Sequence, residues 1–389
     1  MAEPKNGAAP ILRAAVLIAM ALVAQAAAAP PGDRTMQPVS PSRFYESRFF
    51  ADMAAVGAAG VRSIVTVEHS AQRVPGGPDR PPTETATLRV WGAAQGAGPL
   101  REHSRIETSL PVAKAIAMTV RNGHLLALAQ SNNVDAAYLL TLPWPLSGPL
   151  LPAPPTLPIS LEGSPVAPIL IDPRADWSTA GMTSAEWLFH PSMANGPGGD
   201  DVALAMNTAD GQAVVWTSAA GAATRAPHAI AAIPAALDPV FVHAGASRYL
   251  LYRRIPADWS VYFHDLRYSG RYGPIALPLI MAEIGATGSI VRSVDLSATA
   301  ALGGVLAFCA QADGSDLALA VVAGATAQPD LRVLVVNHAG TIERPGYAGL
   351  LRGVPYRLTM SVAESAALVG LAYRGQGTYV MDAATVALR

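Results

Sequence analysis

The sequence predicts an all-β chain assembled from small, repeated antiparallel sheets. Three observations carry that expectation. Five stretches share one plan: an apolar strand, a tight polar or Gly turn, a second apolar strand, then a Gly-containing bend. From Val61 onward no stretch shows helix-length 3.6-residue periodicity bounded by caps. The apolar runs are short, rich in Val, Leu, Tyr and Trp, and closed by Gly, Pro, Asp or Asn.

In chain order the hairpins read HLLALAQ-SNNVD-AAYLLTL from His124, VALAMN-TADG-QAVVWTS from Val202 and YLLYRR-IPAD-WSVYFHDL from Tyr249. VLAFCAQ-ADGS-DLALAVV from Val305 and ALVGLAY-RGQG-TYVMDA from Ala367 follow, and a looser copy, SIVTVEH with TATLRVW, begins at Ser63. Asp313-Gly314-Ser315-Asp316 has the residues of a tight hairpin turn. A further strand precedes most hairpins: KAIAMTV, EWLFHP, PVFVHA and YRLTMSV. A Gly bend and weak strand follow others: LSGPLLP, AAGAATRAP and YSGRYGPIALP. Together these make a four-stranded unit. A lone hairpin is marginal in water, whereas stacked units bury both faces of their inner strands. Near-continuous apolar runs such as LALAVV suit strands covered on both sides.

From Val61 to Arg389 the array resembles β-propeller repeat proteins as an architecture, without the motif of any one family. The Gly-His…Trp-Asp pairing of WD40 repeats, the double Gly of kelch repeats and the Ser-x-Asp-x-Gly-x-Thr-Trp box of sialidases are all missing. About six four-stranded blades are expected, and seven if Phe44–Gly60 or Leu331–Gly346 supplies its own. Pro143–Pro173 and Ala323–His338 read as insertions. The alternatives are a β-sandwich pair or another solenoid.

Composition bounds the setting. The chain has 389 residues, 51% of them hydrophobic and 14% charged, which supports a large core and excludes a disordered chain. A net charge of −1 without a basic block argues against nucleic acid and anionic membrane surfaces as partners. Lys5 and Arg13, the apolar run Ala14–Ala24 and the small residues Ala26-Ala27-Ala28 read as a secretory signal with Ala29 as the mature start. The expected organisation is a signal peptide over 1–28, a lead-in over 29–60 and a propeller over 61–389. The protein is then periplasmic or secreted, with no stable membrane span after cleavage. Cys309, the only cysteine, rules out an internal disulfide and reads as a small buried hydrophobe in its apolar strand.

No His-Glu-x-x-His, Gly-x-Ser-x-Gly, phosphate-cradling Gly loop or Cys-x-x-Cys occurs, so the reading leans away from an enzyme and expects no cofactor. The densest polar-aromatic segment, Arg248–Tyr272, suggests a binding surface. Arg248, Tyr252, Arg254, Trp259, Tyr262, Tyr268 and Arg271 would form it, with Trp177 and Trp187 adjoining, for a protein or carbohydrate ligand. Tyr, Trp and Arg bury large area with a polar handle and lose little entropy. Asp-Trp-Ser, at Asp176–Ser178 and Asp258–Ser260, is a sugar-stacking pattern but also ordinary turn chemistry. Asn195–Asp201 lacks the spaced oxygens of a calcium loop. His69, His190, His243, His264 and His338, three of them beside Glu68, Glu186 or Asp265, could gather at a central axis, but they share no spacing and no metal site is assigned. The expected role is a binding module in the cell envelope. Its rival is a propeller-type glycan hydrolase, lyase or lactonase, with a polar or metal site at the central channel. An enzyme needs at least two carboxylate or His groups converging at the channel mouth.

Overall fold

Alternating apolar residues and tight turns drive successive segments into antiparallel ladders, and the computed structural model shows how those ladders assemble. It describes residues 41–58, 61–72, 83–93, 99–108, 114–121, 123–130, 137–145, 156–159, 192–195, 201–207, 213–219, 228–256 and 275–388. Residues 1–40 and most of Pro143–Pro173 lie outside that set, and the part of Pro143–Pro173 that is described holds Thr156–Ile159, a strand of the second sheet and no insertion.

Strand β1 (Ser42–Ser47) comes first, and β2 (Phe50–Ala58), β3 (Val61–Gln72), β4 (Thr83–Ala93) and β5 (Leu100–Thr108) then form the first sheet. The second holds β6 (Lys114–Arg121), β7 (His124–Gln130), β8 (Ala137–Pro143) and β9 (Thr156–Ile159). The third holds β10 (Ser192–Asn195), β11 (Asp201–Asn207), β12 (Ala213–Ala219) and β13 (His228–Ile233). In the fourth are β14 (Ala236–Ala244), β15 (Ser247–Arg254), β16 (Leu279–Ile284) and β17 (Ile290–Asp295). A single helical turn, α1 (Leu296–Thr299), is capped by Asp295, whose carboxylate accepts from Ala298 N at 3.2 Å. It leads to the fifth sheet: β18 (Val305–Asp313), β19 (Asp316–Ala325), β20 (Gln328–Val336) and β21 (Ile342–Leu350). The last has β22 (Arg357–Ala363), β23 (Ala366–Arg374) and β24 (Tyr379–Ala387), with β1 outermost.

Among the described residues there are thus six four-stranded sheets. Their innermost strands β2, β6, β10, β14, β18 and β22 touch in cyclic order, and β22 returns to β2. This closed ring is a β-propeller. Because each sheet is a meander that begins with its innermost strand, all inner strands start at one face, the mouth of the axial channel. β2, β6, β14 and β18 each carry a register shift near that start.

The core lies between sheets. In β19, Leu317, Leu319, Val321 and Ala323 pack towards the fourth sheet, against Tyr249, Leu251 and Met281. The intervening Ala318, Ala320 and Val322 pack towards the last, against Met360, Val369 and Leu371. Period-2 alternation with two apolar walls explains why LALAVV has no polar side. Each fully buried Val or Leu contributes about 1.5–3 kcal/mol.

Several expectations change. The 29–60 lead-in holds β1 and β2, strands of the last and first sheets. Leu331–Gly346 forms no separate sheet, and Ala323–His338 is no insertion: β20 and β21 complete the fifth sheet. The hairpin expected from Tyr249 to WSVYFHDL does not form. Both edges of β15 are taken, by β14 and by β16, which lies beyond that segment. EWLFHP and LSGPLLP fall outside the described residues; the strands found nearby are Ser192–Asn195 and Thr156–Ile159. The Asp313–Asp316 turn is as expected, with Gly314 at φ +68°. Among the described residues no helix is long and apolar enough to cross a membrane.

Candidate functional site in the axial channel

The free edges of the six inner strands enclose a channel of about 420 Å³. Ala54–Gly57, Met118–Val120, Ser192, Val240–His243, Phe308–Ala312 and Arg357–Val362 line it, with Asp238 at its side. A free strand edge carries N–H groups that need acceptors. Here side chains of the preceding sheet's inner strand supply several. Ala55 N donates to Thr359 Oγ1 at 2.6 Å, Val362 N to Gln311 Oε1 at 3.0 Å, and Phe241 N to Ser192 Oγ at 3.2 Å. These polar residues in otherwise apolar strands mark the channel wall, a signal that sequence reading passed over.

The mouth is charged. Arg357 Nε lies 2.9 Å from Asp52 Oδ1 and also reaches Met53 O at 3.4 Å. Across the ring, Arg253 donates through Nε to Asp238 Oδ2 at 2.8 Å. Its Nη1 reaches Ile275 O and Leu306 O, both at 2.9 Å, so a side chain only 6% exposed ties the fourth sheet to the fifth. Asp52 and Asp238 both sit where their strands shift register, on the first and fourth sheets. Along β22, Arg357, Thr359 and Ser361 alternate on one face from the mouth inward. Ser361 is fully buried, and its hydroxyl has no partner among the described residues.

His243 lies towards the other end of the channel, roughly 15 Å from Asp238 at about 3.3 Å per residue. His338 is exposed in the turn after β20, and the side chains of His69, His190 and His264 lie outside the described set. Among the described residues no three His, Cys, Asp or Glu side chains form a metal site. Cys309 is half-buried as a residue, but its sulfur is shielded. Burial pushes the thiol up to about 12, against the opposing charge of Arg357.

Of the expected binding surface, Arg248, Tyr252 and Arg254 are among the described residues. Tyr252 is 7% exposed and packs with Phe241 and Ile280 between the third and fourth sheets. Burial raises its hydroxyl above the usual value. Tyr249 is 1% exposed, and Arg253 is the buried tie just described. Strand alternation sends these side chains into the seams on either side of the sheet, so Tyr252 presents no face to a partner. Arg248 is half-buried, and Arg254 is exposed and paired with Asp295 at 3.1 Å. Trp259, Tyr262, Tyr268, Arg271, Trp177 and Trp187 lie outside the described residues, as do both Asp-Trp-Ser tripeptides.

Instead the described aromatics gather where the last sheet meets the first. Phe44 and Tyr45 stand 5.3 and 4.5 Å from Trp91, and Phe50 stands 6.4 and 5.1 Å from Tyr356 and Tyr379. The run RFYESRFF, Arg43–Phe50, carried that signal in the sequence. Tyr45 and Ser47 both donate to Glu68 Oε1, the latter at 2.5 Å, while Arg89 Nε reaches Glu68 Oε2 at 3.1 Å and its Nη1 reaches Glu102 at 2.9 Å. Burial alone would raise Glu68, but the Ser47 and Tyr45 hydrogen bonds and the Arg89 charge outweigh it and hold the carboxyl below its ordinary range. Burial, then the bond to Glu68, pushes the Tyr45 hydroxyl up to about 12.

No protein-family model and no curated relative matches the chain. Solved structures do resemble it. The GH93 α-L-arabinofuranosidase of Fusarium graminearum, in its complex with arabinobiose, is 7% identical with a TM-score of 0.50, over 90% of this chain and 98% of that one. The periplasmic gluconolactonase PpgL of Pseudomonas aeruginosa is 15% identical with a TM-score of 0.39, over 86% and 85%. The Aleuria aurantia lectin, in complex with α-methyl-L-fucoside, is 11% identical with a TM-score of 0.46, over 90% and 97%. At these identities the likeness is one of fold alone.

Proposed function

We propose that this protein is an exported propeller, with the six sheets as its blades, that works through its axial channel on a small polar molecule of the sugar or sugar-lactone class. The supporting observation is the channel itself, about 420 Å³, whose wall includes Arg357, Thr359 and Ser361 along one face of β22. That volume suits a small ligand, and a few convergent polar groups in an apolar wall give it orientation. Of the residues on which the interaction-module reading stood, Tyr252 is buried between sheets and Arg254 is paired with Asp295.

A hydrolytic form of this reading assigns the base to Asp238, which is among the residues lining the channel, with Asp52 and Arg357 positioning the substrate. Export rests on the N-terminal signal pattern.

The test is calorimetry on the mature chain with arabinobiose and with glucono-δ-lactone, together with proton release from the lactone. Binding that Arg357→Met abolishes, in a variant with an unchanged circular dichroism spectrum, is the expected result. Absence of binding to both probes, or equal binding by the variant, would overturn the proposal.

A further inference from the structure

We infer that the aromatic rim between the last and first sheets is a stacking subsite for a carbohydrate ring whose polar end enters the channel at Arg357. This rests on the channel reading above.

Rim and mouth are contiguous in the chain. Tyr356 directly precedes Arg357, and Phe50 lies two residues before its partner Asp52. Phe50, 7% exposed, forms the floor, and the half-buried Tyr356 and Tyr379 rings stand 5.4 Å apart above it. The Arg374 guanidinium lies 5.9 Å from the Tyr379 ring centre. Phe49, on the turn between β1 and β2, is 60% exposed. That turn is anchored, because Phe49 N donates to Ser47 Oγ at 3.0 Å and Ser47 is itself bonded to Glu68. Phe49 is thus an aromatic ring held outward on an anchored turn, accessible to a ligand at the rim.

The chemistry selects the ligand. Aromatic faces take an apolar C–H surface, while a guanidinium–carboxylate pair beside them takes hydroxyls or a carboxylate. A pyranose or furanose ring carries both on one small frame. A purely apolar ligand would leave the Arg357–Asp52 pair unused, and a simple anion would leave the rings unused.

Saturation-transfer NMR with arabinobiose, irradiating the protein's aromatic protons, reads this contact directly. In the unmodified mature chain, transfer should reach the sugar's ring C–H protons. Phe49→Ala, which removes an exposed side chain, should weaken the apparent affinity about two- to tenfold and reduce that transfer. Tyr356→Leu, checked for its fold by circular dichroism, should do the same. If transfer and affinity are unchanged in both variants while Arg357→Met loses binding, the rim inference fails and the channel reading stands. If arabinobiose receives no transfer from the unmodified chain, the rim inference falls. If glucono-δ-lactone also fails to bind in calorimetry, the channel reading falls with it.

Discussion

Ala55 and Thr359 stand 304 positions apart, yet Ala55 N donates to Thr359 Oγ1 at 2.6 Å. The bond joins the first inner strand to the last, so it closes the ring on its inner side as β1 closes it on the outer. Both residues are buried, so removing the acceptor strips the N–H of a close, preformed partner. Thr359→Val keeps the shape and deletes the oxygen, leaving a buried N–H unmet at a cost of about 1–3 kcal/mol. A thermal melt should fall by a few degrees, and Thr359→Ser should recover most of the loss. Equal stability of the valine and threonine proteins would show that this bond does not hold the seam.

The outer closure is sensitive to pH at both ends. Glu68 is held below the ordinary carboxylate range, so its contribution is full above the unfolded value of about 4.3 and is lost as pH falls through its lower folded value. Tyr45 is pushed up to about 12, so its contribution is full below the unfolded value near 10 and is lost as pH rises towards 12. The melting temperature of the unmodified chain should therefore decline on both limbs. Glu68→Gln should lower the plateau and lessen the acid decline; Tyr45→Phe should lower it and lessen the alkaline one. Variant profiles that run parallel to the unmodified one at both ends would show that the clasp does not titrate.

Cys309 supplies a chemical check on the channel wall. Its residue borders the channel, but burial pushes the thiol up to about 12, so little thiolate exists near neutrality. A thiol reagent at pH 8 should label the native chain very slowly and the urea-unfolded chain promptly, at one thiol per chain. Prompt native labelling would place the sulfur in open solvent.

The architecture could be read in the sequence because propeller physics is local in sequence. Each hairpin carries its own turn chemistry, and each doubly buried strand shows its two walls as an unbroken apolar run, as in Leu317–Ala323. Ring closure could not be read, because the pairing of Ser42–Ser47 with Tyr379–Ala387 joins the two ends of the chain. The aromatic rim was hidden for a related reason: clustering along the chain pointed to Arg248–Tyr272, whereas Phe50, Tyr356 and Tyr379 become neighbours only when the ring closes.

The Arg253–Asp238 pair separates a structural role from a chemical one. Arg253 binds Asp238, the carbonyl of Ile275 ahead of β16 and that of Leu306 in the fifth sheet, and its side chain is almost fully buried. Breaking such a pair by removing one partner leaves a shielded charge, typically a loss of about 3–5 kcal/mol, and the 15% exposure of Asp238 reduces that somewhat. Arg253→Met should therefore destabilise strongly. The double variant Arg253→Met, Asp238→Asn should melt higher than Arg253→Met alone, since no shielded carboxylate remains and Asn tolerates the φ of +50° at this position. Asp238→Asn bears on chemistry instead: if Asp238 is the base, lactone proton release should fall at least a hundredfold while calorimetric binding of arabinobiose persists. Loss of binding and turnover together would make Asp238 a structural partner of Arg253 alone, and the hydrolytic form of the channel reading would need another base.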